Sequence, residues 1–164
     1  MRVNHLVYNG VVKLLTLVII VQPPRILLGM KKRGFGRGWW NGFGGKVQSG
    51  ESIESAARRE TLEEAGIGTR KLRHAGVLFF YFENDPETHE AHVFVCDEFD
   101  GEPIESDEMR PEWFETDKIP YDEMWPADRF WLPLLLEDKS FRGDFFFTRN
   151  DELIKHTITV LEDV

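Results

Sequence analysis

Hydrophobic and polar positions divide the chain into short apolar runs and one stretch of helical period. Val11 to Val21 is dense in Val, Ile and Leu and ends at Pro23-Pro24, which predicts a largely buried strand that stops where proline cannot donate to a ladder. Ile26 to Met30 predicts a second strand after the turn. A glycine-rich stretch follows, Gly34-Phe35-Gly36-Arg37-Gly38 and then Gly42-Phe43-Gly44-Gly45, where backbone must turn sharply or lie close to a ligand. From Ser52 to Ala65 the period is helical, with Gly66 placed as a C-terminal stop. Val77 to Phe82 and Ala91 to Cys96 predict strands separated by a polar turn at Asn84-Asp85-Pro86, and Glu112 to Phe114 a short one. Phe130 to Leu136 supplies the apolar face of a second helix despite Pro133, and Phe145 to Phe147 a further strand. Ile158 to Leu161 closes the chain with a pattern that decides no type. Strands grouped around two helices, without regular alternation, make the class α+β.

No repeat or low-complexity linker interrupts the 164 residues, so they read as one domain, with residues 1–10 as an N-terminal extension. An excess of 29 acidic over 20 basic side chains, a formal charge of −9, disfavours a nucleic-acid polymer or an anionic membrane as partner, because phosphates are met by Lys and Arg. The apolar run from Val11 to Val21 contains Lys13 and is shorter than the ~20 residues that cross a bilayer. It also lacks the small-residue cleavage site of a secretory signal, and the first ten residues carry only a weak presequence pattern. The single cysteine, Cys96, fits a reducing compartment and a buried small side chain.

The predicted helix carries a conflict. At about 100° per residue, Glu60, Glu63 and Glu64 fall within an arc of about 100°, on the side that also holds Ile53, Ala56 and Ala57. Arg59, four residues before Glu63, can neutralise it, whereas Glu60 and Glu64 have no basic residue four positions away. Spacing alone leaves two readings open, a solvated acidic face or a site for a hard cation such as Mg²⁺, which takes carboxylates, waters and phosphate oxygens. The glycine cluster matches neither the dinucleotide fingerprint nor the P-loop, since Gly45-Lys46 is followed by Val47.

At Gly45-Lys46-Val47-Gln48-Ser49-Gly50-Glu51 and Arg59-Glu60-Thr61-Leu62-Glu63-Glu64-Ala65-Gly66-Ile67 the chain resembles the Nudix hydrolase signature, residues 45–67. Every fixed position of that pattern is present, with Thr61 standing where an aliphatic residue is usual. Further stretches, Trp40-Asn41-Gly42-Phe43-Gly44-Gly45, Glu105-Ser106-Asp107-Glu108, Met124-Trp125-Pro126 and Phe130-Trp131-Leu132-Pro133, are similar to the animal members of the family that hydrolyse oxidised purine nucleoside triphosphates.

The resemblance implies the Nudix fold, a mixed β-sheet sandwiched between α-helices. It implies hydrolysis of nucleotides such as 8-oxo-dGTP to the monophosphate and pyrophosphate, keeping the nucleotide pool free of mutagenic precursors. The implied cofactor is Mg²⁺, with Mn²⁺ able to substitute, held by Glu60, Glu63, Glu64, Glu108 and the Gly44 carbonyl. Glu60 or Glu108 would then activate water, and Arg59 would pair with a glutamate of its own helix. For the substrate it implies Lys31, Gly44, Gly45 and Lys46 near the phosphates. Asn41 and Asp128 would meet the purine edge, with Thr16, Phe35, Phe43, Phe80, Phe82, Trp125, Pro126, Ala127 and Trp131 around the base. Two departures touch this set: Ala127-Asp128 replaces a pair of aspartates, which bears on tolerance of oxidised adenine nucleotides, and His89 replaces a methionine. The family also implies a monomer acting in the cytoplasm, with the mitochondrial matrix and nucleus as further locations. Two rival readings are a Nudix pyrophosphatase of other nucleotides and a nucleotide-binding domain without turnover.

Overall fold

The computed structural model describes residues 2–3, 6–7 and 10–162. Two short antiparallel segments, β1 (Arg2–Val3) and β2 (Leu6–Val7), precede a sheet of eight strands. In chain order these are β3 (Val12–Gln22), β4 (Arg25–Lys31), β5 (Trp40–Asn41), β6 (Gly68–Phe82), β7 (Asp85–Asp100), β8 (Met109–Glu115), β9 (Ser140–Phe147) and β10 (Leu153–Leu161). They lie in the order β10-β9-β6-β7-β3-β4-β5, with β8 on the other side of β4. The sheet is mixed: β3 runs parallel to β7 and β6 parallel to β9, and the remaining pairs are antiparallel.

Helix α1 (Ile53–Ala65) covers one face and α2 (Asp128–Leu136) the other. Period-2 alternation along β3 explains how one strand serves both layers. Ile19 joins Trp131, Leu132 and Leu135 of α2, while Val18 and Ile20 join Ala57 and Ala65 of α1. The expected α+β sandwich is thus present. Both helices fall where the periodicity puts them, and the undecided terminal segment is an edge strand, β10, paired with β9. Strands β6 and β7 extend well beyond the apolar runs that announced them, because residues 68–71 pair with residues 98–100 through a bulged, largely polar ladder. Cys96 is buried, its thiol pushed up by that burial, and it donates to the Glu98 carbonyl at 3.3 Å, an inert setting.

Candidate active site

Helix α1 starts and stops by its own sequence. The Ser52 hydroxyl caps it by accepting the Ser55 N–H at 3.1 Å, and Gly66 ends it at φ 69°, a left-handed conformation in which side chains are strained. Thr61 costs the helix nothing obvious in the core: it is fully buried, and its hydroxyl donates to the Ala57 carbonyl at 2.8 Å.

The helix sends its three carboxylates to different surroundings. Glu64 is buried, Glu60 is partly buried and Glu63 is exposed. Arg59 gathers the second and third, with one Nη at 2.9 Å from Glu60 and 3.3 Å from Glu63. Its strongest partner, however, lies outside the helix. Nε and the other Nη reach both oxygens of Glu51 at 2.7 and 3.0 Å, and that fork lowers the Glu51 carboxyl to about 2. The expected pairing of Arg59 with a glutamate of its own helix is present, Glu51 is a further partner outside the helix, and Glu60 gains a cation through an adjacent residue that helical spacing does not register.

Glu64 faces the segment that precedes the helix. Residues 42–47 lie antiparallel along β3, joined by hydrogen bonds from Thr16 N–H to the Gly45 carbonyl at 2.9 Å and from Val47 N–H to the Leu14 carbonyl at 3.0 Å. Here glycine is required by space. A Cβ on Gly44 would stand 1.9 Å from the Thr16 carbonyl oxygen, and one on Gly45 would stand 2.7 Å from the Glu60 carboxyl. With no side chain in the way, the Gly44 N–H donates to Glu64 at 2.8 Å.

The other oxygen of Glu64 is 3.8 Å from Lys31 Nζ, which is also 3.5 Å from Glu108; Arg33 stands 3.6 Å from Glu108. Burial nevertheless raises the Glu64 carboxyl to about 8, opposed by the Gly44 N–H and Lys31 and assisted by Glu60 and Glu108. Among the described residues no three acidic, histidine or cysteine side chains converge as a ready-made ion cage. The carboxylates stand in pairs, Glu64 with Glu108 across Lys31 and Glu60 with Glu63 across Arg59. The all-oxygen chemistry of this set, and a buried carboxylate that one lysine does not fully neutralise, fit a hard divalent cation.

A cavity of about 500 Å³ opens beside this cluster. Of the residues expected there, Thr16, Lys31, Phe35, Asn41, Gly44, Gly45, Lys46, Glu64, Phe80, Phe82, Trp125 and Asp128 line it. Phe43 and Trp131 do not. Phe43 is fully buried in the core under α1, and Trp131 lies behind the cavity, donating its indole N–H to Asp128 at 3.0 Å. Pro126 and Ala127 are likewise not on the wall, and Ala127 is fully buried beside Trp131. Sequence reasoning missed Lys13, Asp85 and Phe147, which reach the cavity from the strand of Thr16, from β7 beside it and from β9 beside β6. A further hollow of about 380 Å³, lined by Lys71, Arg73, Asp97 and Asp138 among others, contains none of the expected site residues.

At the far end Asp128 is 4% exposed, and its Oδ2 is a buried atom with no hydrogen-bond partner among the described residues. Burial raises its carboxyl to about 7, with the Trp131 hydrogen bond acting against the shift. An orphaned buried oxygen is costly unless a donor meets it, and this one is free to accept from a ligand in the cavity. Asn41 accepts the Gly42 N–H at 2.9 Å through Oδ1, which leaves its amide N–H groups to the cavity. Over the mouth, Phe35 stacks on Trp125 with centroids 4.9 Å apart and meets Phe82 edge-on at 5.5 Å.

Comparison with known proteins places these features in a context. The NUDIX domain family matches residues 13–135. The chain is 55% identical over 152 residues to the oxidized purine nucleoside triphosphate hydrolase of Danio rerio, covering 93% of this chain and 97% of that one. To the protein of the same name from Mus musculus it is 51% identical over 146 residues, covering 89% and 94%. Among solved structures, the MutT protein of Bacillus halodurans superposes with a TM-score of 0.80 at 28% identity, covering 89% of this chain and 97% of that one.

Proposed function

The chain belongs to the NUDIX family and is a hydrolase of that kind, and we propose that it cleaves oxidised purine nucleoside triphosphates such as 8-oxo-dGTP to the monophosphate and pyrophosphate. The observation that carries this reading is one cavity with two chemically different ends. At one end Asp128 offers an unpartnered carboxylate oxygen; at the other Lys31 and Lys46 stand with the Gly44-Gly45 backbone and Glu64. The volume, about 500 Å³, lies in the range of pockets that take nucleotide-sized ligands.

At the base end, an ionised Asp128 accepts from the ring N–H and exocyclic amine that a guanine-type base presents, and the Asn41 amide donates to its carbonyl. Trp125 and the phenylalanines around it supply a flat apolar wall. At the phosphate end Lys31 exchanges its carboxylate partners for phosphate oxygens. Glu60, Glu63, Glu64, Glu108 and the Gly44 carbonyl would hold the divalent ion, Mg²⁺ with Mn²⁺ as substitute. When bound, that ion offsets phosphate charge during displacement at phosphorus. Glu60 and Glu108 are the carboxylates that can take the proton of the attacking water. Glu60 is held in place by Arg59, and the kcat losses of Glu60→Gln and Glu108→Gln tell the two apart.

The test is pyrophosphate release from 8-oxo-dGTP, 2-oxo-dATP, dGTP and a dinucleoside polyphosphate, with Mg²⁺, Mn²⁺ or chelator. Metal-dependent release with 8-oxo-dGTP preferred over dGTP supports the assignment. Equal rates on both remove the sanitising role, and no turnover of any of them removes the enzyme. The proposal includes action as a monomer in the cytoplasm, with mitochondrial matrix and nucleus as further locations, to be checked by sedimentation and cell fractionation.

A further inference from the structure

Asp128 and Asn41 cannot by themselves tell a damaged base from a sound one. Guanine and 8-oxoguanine share the same Watson–Crick edge; oxidation changes the opposite side, where N7 turns from a bare acceptor into an N–H donor and C8 gains a carbonyl. A group that meets that opposite side, an acceptor for the N7–H or a donor for the C8 carbonyl, can tell the two apart.

A second polar pair, Asp85 and His89, lines the cavity. His89 on β7 is 5% exposed and lines the cavity, with its ring packed against Phe82 at 4.9 Å and Phe35 at 6.0 Å. Its Nε2 lies 2.9 Å from Asp85 Oδ2, while Asp85 Oδ1 accepts the Glu87 N–H at 2.9 Å. Burial works against ionisation of Asp85, but the hydrogen bonds from His89 and the Glu87 N–H outweigh it, with the Lys13 ammonium assisting, and hold the carboxyl below its usual range. An ionised carboxylate only accepts. In neutral His89 the proton must then sit on Nε2, which leaves Nδ1 as a bare lone pair, and no described residue hydrogen-bonds to it.

Resting on the function proposed above, we propose that His89 is a specificity-determining residue, its tautomer fixed by Asp85 so that Nδ1 accepts the N7–H of an 8-oxopurine and repels the N7 lone pair of an undamaged one. The pair thus reads the side of the base that oxidation alters, while Asp128 reads the side that it does not.

Asp85→Asn gives the sharpest test. The Glu87 N–H still needs an acceptor, so the amide oxygen stays on it and the amide nitrogen turns to His89. That nitrogen donates to Nε2, moving the ring proton to Nδ1 and converting the acceptor into a donor. The measurement is kcat/KM for 8-oxo-dGTP and for dGTP at pH 8. His89→Met is expected to lower the ratio of the two by about tenfold, mainly through KM for 8-oxo-dGTP, the usual effect of losing one discriminating hydrogen bond. Asp85→Asn is expected to lower it further and to raise kcat/KM for dGTP, and His89→Gln, whose carbonyl can accept, to recover part of the ratio. A packing role alone would lower both substrates together. A ratio unchanged in His89→Met and Asp85→Asn overturns the role of His89 and leaves the proposed function standing. A native protein that fails to hydrolyse 8-oxo-dGTP overturns that function and this inference with it.

Discussion

Asp128 is the most informative position to perturb, because its carboxyl is costly to the fold and needed by the ligand. Its folded value of about 7 stands against an ordinary 3.8, and at about 1.4 kcal/mol per pH unit the gap corresponds to about 4 kcal/mol. The folded protein holds this proton more tightly than the unfolded chain does. Stability from this group is therefore full below about pH 4, declines as pH rises, and is lost by about pH 7. In Asp128→Asn the amide oxygen can keep the bond from the Trp131 indole, while the buried charge disappears at every pH. Urea unfolding should find the two proteins within about 1 kcal/mol of each other at pH 4. At pH 8 the variant should be the more stable, by up to about 4 kcal/mol. Activity should move the opposite way. For the native protein, kcat/KM on 8-oxo-dGTP should climb through about pH 7 as the carboxylate forms, and the variant should lose at least about tenfold and show no climb. A stability gap that does not change between pH 4 and 8 would refute the reasoning, since it would mean that Asp128 is charged in the fold at no cost.

Glu64→Gln should abolish metal-dependent pyrophosphate release, at least about a hundredfold in kcat, while circular dichroism stays native; retained activity would mean that the ion is held elsewhere. In Gly45→Ala the new methyl meets the movable end of Glu60, so the melting temperature should fall by less than about 5 °C while kcat falls by about tenfold or more; a loss of fold without loss of kcat per folded molecule would show the contact to be structural only. Ala127→Asp introduces a carboxyl at a fully buried position, and we expect a loss of about 2 to 4 kcal/mol at pH 8 together with better turnover of 2-oxo-dATP relative to 8-oxo-dGTP; an unchanged preference removes Ala127 as the cause of any narrowed tolerance.

How much of this was legible in the chain depended on whether the cause was local. Helix α1 was, because Ser52, the apolar period and Gly66 are neighbours in sequence. Its acidic residues were legible as a set, but not in their separate fates: Glu64 goes inward because Gly44, twenty residues earlier, leaves its backbone N–H bare. Edge strand β10 was illegible because Leu153–Leu161 is paired on one side and largely exposed, so no apolar alternation marks it. Phe43 and Trp131 matched a family pattern yet lie in the two cores, since a motif records which residues occur and not which way they point. The Asp85–His89 pair escaped for a different reason. Two residues four apart suggest a helix turn, yet here Asp85 opens β7 just after the turn and is brought to His89 by a hydrogen bond across three intervening strand residues.

The stack of Phe35 on Trp125 has an energetic consequence of its own. The indole face is already covered, so an arriving purine that stacks there replaces one aromatic neighbour with another. An aromatic pair is worth about 0.5 to 1.5 kcal/mol, and a base on an aromatic side chain about 1 to 3, so the exchange returns only the difference. Such a mouth is self-occupied: a bare nucleobase gains little by entering, and flatness alone selects nothing. Binding must then draw its strength from the triphosphate, and its selectivity from the hydrogen-bonding edge, which leaves the aromatic wall as a threshold that excludes weak visitors.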